Sequence, residues 1–183
     1  MKMTELDKQF PFTGSEGRSD GLHLSTIIHD FLNMMHGQEE SEIDDNVRLM
    51  FEKGFLWEKV LSRAYAERAV HRPDEIVVDG IACSPDGIAT EEDGEVVVEE
   101  YKATSRSVTT TPDMVESWMM QIKAYCYVVG VNVGLFYVLH LNGDYRAIRH
   151  PIPKWYRCEF SEQELAENWH MIVGHAKMRG WLA

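Results

Sequence analysis

The apolar positions along the chain change period twice, and those changes divide it into elements. Leu22 to Met35 carries apolar residues at helical spacing, with Ser25 placed as an N-cap, and predicts a short helix. Asn46 to Val70 is the longest helical pattern. Val47, Met50, Phe51, Gly54, Phe55, Trp57, Leu61 and Ala64 form one broad apolar side, and Pro73 stops it. From Glu75 the period falls to two. Glu75 to Val78, Gly80 to Thr90 and Glu95 to Lys102 read as strands, with turns at Ser84-Pro85-Asp86-Gly87 and Glu91-Glu92-Asp93-Gly94. In the third of these strands Val96, Val98, Glu100 and Lys102 share one face, while Val97, Glu99 and Tyr101 share the other. The Ser/Thr-rich loop Ala103 to Thr111 follows.

Helical spacing then returns. Thr111-Pro112-Asp113 supplies an N-cap, a proline at the first helical position and a first-turn acid, so a helix is expected from there to Val129, ending at Gly130. Val131 to Leu141 is an apolar strand that turns at Asn142-Gly143 into a second strand, Tyr145 to Arg149. Ser161, with Glu164 three residues on, opens a last helix through His175 by a capping box. The order helix, three strands, helix, two strands, helix predicts a single α/β domain over residues 22–183, built on a central mixed β-sheet. Residues 1–21, rich in Gly, Ser and charge, read as an irregular N-terminal arm.

Composition narrows the class. Among 183 residues, 44% are hydrophobic and 26% charged, which excludes wholesale disorder. No run of eighteen apolar residues occurs, so no membrane span is expected, and the first residues lack the apolar region of a signal peptide. The three cysteines, Cys83, Cys126 and Cys158, are odd in number and widely spaced, which points to a reducing, cytoplasmic setting. The net charge of −12 argues against broad electrostatic adhesion to nucleic acid. It is unevenly spread. Residues 1–45 hold three basic and ten acidic residues, residues 46–110 hold eight and thirteen, and residues 111–183 hold seven of each. The densest acidic run, Glu39 to Asp45, reads as a solvated loop or helix start.

Three groupings carry chemistry. Asp86 and Glu100, with thirteen residues between them, come from adjacent predicted strands, and two such carboxylates can hold a hard divalent cation. Lys102 lies two residues after Glu100 on the same face, within reach of a polarised water or of developing phosphoryl charge. Gly54 and Glu58 are one helical turn apart; the glycine is expected to allow close approach to the sheet and Glu58 to project beside it. Gln121 and Tyr125 are likewise one turn apart, an amide and a phenol able to orient the lysine or bind phosphate oxygens.

Taken in order, Gly54-x-x-x-Glu58, Ser84-Pro85-Asp86-Gly87, Glu100-x-Lys102 and Gln121-x-x-x-Tyr125 resemble the motifs of the PD-(D/E)XK nuclease superfamily. The similarity is to its RecB-type and phage exonuclease branch, which includes lambda exonuclease-like and YqaJ-like enzymes. It spans about residues 45–145. It implies a restriction-endonuclease-like fold with an α-β-β-β-α-β core and the hydrolysis of DNA phosphodiesters with Mg²⁺ or Mn²⁺. Asp86, Glu100 and the main-chain carbonyl of Tyr101 would then be metal ligands, with Glu58 acting through water or a second metal. Lys102 would position or help deprotonate the attacking water, and Gln121 and Tyr125 would bind the substrate backbone. Arg106, in the loop after the active strand, and Lys123 are further candidates for DNA contact. The resemblance further implies DNA as partner, with self-association or a recombination or single-strand-binding protein beside it. An endonuclease, and a retired nuclease fold used for DNA or protein binding, stay open as alternatives.

Two features depart from the branch. Some relatives carry four cysteines around an iron–sulfur cluster, and three scattered cysteines lead us to expect none here. Leu24-Ser25-Thr26-Ile27-Ile28 resembles the branch's N-terminal Ser-containing helix but lacks the Cys-Pro that often follows. The eight histidines show no His-x-x-x-His on a helix and read as ordinary surface or half-buried residues.

Overall fold

The computed structural model describes residues 19–38, 45–64, 70–143 and 150–183; in the second helix some side chains, Glu58 among them, lie outside that description. Most of the expected arm, most of the Glu39–Asp45 run and the strand expected at Tyr145 to Arg149 also fall outside it. The described elements are β1 (Leu22–His23), α1 (Leu24–His36), α2 (Asp45–Ala64), β2 (Val70–His71), β3 (Ile76–Val78), β4 (Ile81–Cys83), β5 (Gly87–Thr90) and β6 (Val96–Thr104). A 3₁₀ turn, Pro112–Met114, precedes α3 (Glu116–Val129), β7 (Val133–His140), β8 (Ile152–Glu159) and α4 (Glu162–Met178).

One central sheet was expected, but the strands divide into two mixed sheets. The larger has the order β2-β5-β6-β7-β8 and the smaller β1-β4-β3. The division falls at Ser84-Pro85-Asp86, between β4 and β5, where proline cannot extend a ladder. In the larger sheet β6 and β7 run parallel, joined by the α3 crossover, and every other pairing is antiparallel. Among the described residues β6 is flanked by β5 along Val96–Glu99 and by β7 along Val98–Thr104, so Glu100 and Lys102 stand just where β5 has left the sheet.

Several boundaries moved for physical reasons. Leu22 and His23 do not start α1; they pair in parallel with Ile81 and Ala82, and Ser25 lies inside the helix, which has no side-chain cap. Val70 does not end α2, since it pairs with Ala89. Thr111 is not a side-chain cap either. Pro112 opens a single 3₁₀ turn, extended Val115 interrupts it, and α3 starts at Glu116. The described antiparallel partner of β7 is β8, the last strand in the order of that sheet, a place that tolerates a proline such as Pro153. Gly130 ends α3 in the left-handed conformation, and the capping box Ser161–Glu164 starts α4, both as read from sequence.

The main core lies on one face of the larger sheet, under α1, α3 and α4. Val98, Phe136 and Val138 meet Ile122, Ala124 and Cys126 of α3, Leu24, Ile27 and Ile28 of α1, and Trp169 and Ile172 of α4. Contact between α3 and β7 is tight at Gly134, where an added Cβ would stand 2.5 Å from Ile122 Cγ1. The opposite face carries Tyr101, Tyr137 and Leu135 against Trp57 of α2. The alternation read along β6 therefore holds: even-numbered residues face α3 and odd-numbered residues face α2.

Candidate active site

A carboxylate meets the main chain of the central strand where β5 diverges from β6. Ladder pairing between these strands ends at Gly87 and Glu99, which leaves the Tyr101 amide without a main-chain acceptor on that side. Asp86 takes its place. Its Oδ2 accepts the Tyr101 N–H at 2.7 Å, fixing the carboxylate at the residue that follows Glu100. The turn Ser84-Pro85-Asp86 thus performs a structural task and presents a carboxylate at one point.

Glu100 is buried, and on the α3 face its Oε1 accepts from Lys102 Nζ at 2.5 Å. The same ammonium donates to Gln121 Oε1 at 2.8 Å, and Gln121 Nε2 donates to the Tyr125 hydroxyl at 2.9 Å. Strand periodicity brings Glu100 and Lys102 to one side, and helical periodicity brings Gln121 and Tyr125 to the facing side. The result is a directional chain from the phenol through an amide and an ammonium to a carboxylate. Burial, and next the charge of Glu100, push the Tyr125 phenol well above its ordinary pKa, so it stays protonated and keeps a donor.

Glu99 belongs to the other face. It is fully buried and accepts hydrogen bonds from the Tyr101 hydroxyl at 2.6 Å and the Tyr137 hydroxyl at 3.0 Å. Burial and the Glu99 hydrogen bond together raise the Tyr101 pKa. Sequence reasoning gave Glu99 no ligand role, and its side chain indeed points away from Glu100.

Other expected site residues are placed differently. Lys123 lies on the far side of α3 from Gln121, over the Phe160 ring and 3.7 Å from Glu164 Oε1. Arg106 is exposed at the start of the loop after β6. Glu58 sits on α2 next to Trp57, but its side chain is outside the described residues. The close approach to the sheet expected at Gly54 is not found among the described residues, where an added Cβ would meet nothing within 4 Å.

Among the described residues no three His, Cys, Asp or Glu side chains cluster as a metal site. The donor set available just before the start of β5 is two carboxylates, Asp86 and Glu100, and the Tyr101 carbonyl. These are all hard oxygen donors, which suits Mg²⁺ or Mn²⁺, ions that keep several waters. Cys83, Cys126 and Cys158 are free thiols, and burial pushes the thiols of Cys83 and Cys126 each up to about 12. Two buried polar groups escaped sequence reasoning: His140 at the end of β7, and Asp30 with His175 and Arg179 between α1 and α4. No pattern of spacing marks either, because their partners are up to 149 residues apart.

Neither a protein-family model nor a curated protein matches the sequence. Among solved structures, the chain aligns with the alkaline exonuclease LHK-Exo of Laribacter hongkongensis at a TM-score of 0.54 and 15% identity, covering 91% of this chain and 90% of that one. The chain has the nuclease fold of LHK-Exo. The complex of LHK-Exo with dAMP aligns at a TM-score of 0.51 and 16% identity, over 86% of this chain and 87% of that one. SSO0001 aligns at 0.50 and 16%, over 87% and 79%. The shared fold is the restriction-endonuclease-like one expected from the motifs, and it agrees with their resemblance to the phage exonuclease branch of the PD-(D/E)XK nucleases. No helix among the described residues is long and apolar enough to cross a membrane.

Proposed function

We propose that this chain is a metal-dependent exonuclease that hydrolyses DNA phosphodiesters in recombination, repair or DNA processing. The observation that carries the reading is the position of Lys102, held between Glu100 and Gln121 at the strand end where Asp86 is anchored. A salt bridge serving only stability has no need of a third, neutral acceptor on a facing helix. LHK-Exo, whose fold this chain shares, is an alkaline exonuclease with a structure bound to dAMP.

Asp86, Glu100 and the Tyr101 carbonyl would hold Mg²⁺ or Mn²⁺, with Glu58 reaching it through water. Such an ion supplies Lewis-acid polarisation and offsets charge on the phosphoryl oxygens. Lys102 keeps a cation at the same point and orients a water through its remaining donor. Gln121 fixes the lysine rotamer, so little reorganisation is needed as charge develops. The Tyr125 hydroxyl, held protonated, donates toward the carboxylates or a phosphate oxygen. Arg106 adds a phosphate contact on the DNA backbone.

Linear and covalently closed plasmid DNA, incubated in parallel with Mg²⁺ or Mn²⁺, separate the activities. An exonuclease degrades the linear form and spares the closed circle. Cutting of the closed circle would make the chain an endonuclease. Inertness on both forms with both metals would overturn the reading.

A further inference from the structure

Arg106 is held by its main chain, and its side chain has no partner among the described residues. Its N–H donates to Thr104 Oγ1 at 3.1 Å, and its carbonyl accepts from His140 Nδ1 at 3.2 Å. Thr104 and His140 are ladder partners at the ends of β6 and β7, so both anchors stand on the rigid sheet. The surrounding loop is tied to the turn after β7 by Leu141 N–H to the Thr104 carbonyl and Val108 N–H to the Gly143 carbonyl. Asn142 Nδ2 adds a bond to the Ser105 carbonyl. The Arg106 guanidinium, by contrast, is exposed and makes no hydrogen bond or ion pair among the described residues.

The imidazole of His140 is the unusual member. It is 0% exposed, and its Nε2 is buried with no hydrogen-bond partner among the described residues. A carbonyl oxygen can only accept, so Nδ1 is the donor and Nε2 is left unsatisfied. An apolar residue would fill the site without that penalty. What His140 provides in return is one bond, to the carbonyl of the residue that carries the exposed guanidinium. Arg106 lies four positions beyond Lys102, at the same end of β6.

We propose that His140 is a positioning residue, which fixes the Arg106 carbonyl and so presents the guanidinium to a DNA phosphate beside the scissile one. The proposal rests on the nuclease reading above. Its test is steady-state hydrolysis of linear duplex DNA with Mg²⁺ at several salt concentrations, for wild type, Arg106→Ala, His140→Ala, His140→Asn, His140→Gln and the Arg106→Ala/His140→Ala pair. An asparagine amide donates from nearly the position of Nδ1, whereas a glutamine amide reaches toward Nε2.

The expected result is a KM about tenfold higher in Arg106→Ala and His140→Ala with kcat within about twofold. The double variant should be no worse than Arg106→Ala alone, because both changes remove one contact. His140→Asn should recover the wild-type KM and His140→Gln should not, a contrast that survives if His140→Ala fails to fold. Salt dependence should weaken alike in Arg106→Ala and His140→Gln. Wild-type KM in His140→Gln or in Arg106→Ala, or penalties that multiply in the pair, would overturn the proposal while leaving the nuclease intact. A wild type inert on DNA would overturn both.

Discussion

Lys102 Nζ lies 2.8 Å from Gln121 Oε1, so an ammonium on the central strand is steered by an amide on the crossover helix. Gln121→Ala would leave Lys102 with Glu100 as its one partner among the described residues. Steady-state kinetics should show kcat lowered about tenfold with a small change in KM, the pattern for loss of preorganisation. An unchanged kcat would mean that the amide does not orient the lysine.

Tyr125 ends the same chain of bonds and is buried. Tyr125→Phe removes the acceptor of Gln121 Nε2, and urea denaturation should show a loss of about 1 kcal/mol. Because the phenol is held well above its ordinary pKa, the wild-type rate should show no fall attributable to tyrosine ionisation as pH approaches 10. A basic limb present in wild type and absent from Tyr125→Phe would contradict this.

Much of this site was legible before the fold. Asp86, Glu100, Lys102, Gln121 and Tyr125 are brought together by strand and helix periodicity, which local sequence records directly. The parts that were missed depend on distant segments. Leu22 and His23 have local helical spacing, yet the edge of β4 claims their main chain. His140 and Arg106 are 34 residues apart, and only the parallel pairing of β6 and β7 brings them together. The neighbours of Lys123 were hidden for a related reason: helical spacing alone does not say which neighbour each face meets, and its side meets Phe160 and Glu164.

Asp30 joins the helix that begins the described fold to the one that ends it. It accepts from His175 Nε2 at 2.5 Å and Arg179 Nε at 2.7 Å, with Arg179 Nη2 on its other oxygen. The Arg179 hydrogen bond leads in lowering its pKa from 3.8 to about 2. The folded-state value is depressed, so its stabilisation is complete above pH 3.8 and disappears as pH falls through about 2. Asp30→Asn should therefore cost about 2 kcal/mol near neutral pH. Melting temperatures of the two proteins should converge between about pH 4 and 2; a constant difference across that window would contradict the assignment.

Gly134 is required by the approach of α3 to β7. In Gly134→Ala the new Cβ meets Ile122 Cγ1 at 2.5 Å and Cδ1 at 2.9 Å, and destabilisation of about 1–3 kcal/mol is expected by chemical denaturation. Adding Ile122→Ala should cost less in that background than in wild type, since each change makes room for the other. Simple additivity would show that the contact is not shared.

The central claim is that Asp86, Glu100 and Lys102 form a hydrolytic site for DNA. Release of nucleotides from end-labelled linear DNA tests it most directly, comparing wild type, Asp86→Ala and Lys102→Ala with Mg²⁺, Mn²⁺ or EDTA. The account predicts release by wild type with either metal, none in EDTA, and a rate at least about a hundredfold lower in each variant while its melting temperature stays near wild type. Wild type that releases no nucleotide with either metal, or folded variants as active as wild type, would contradict it.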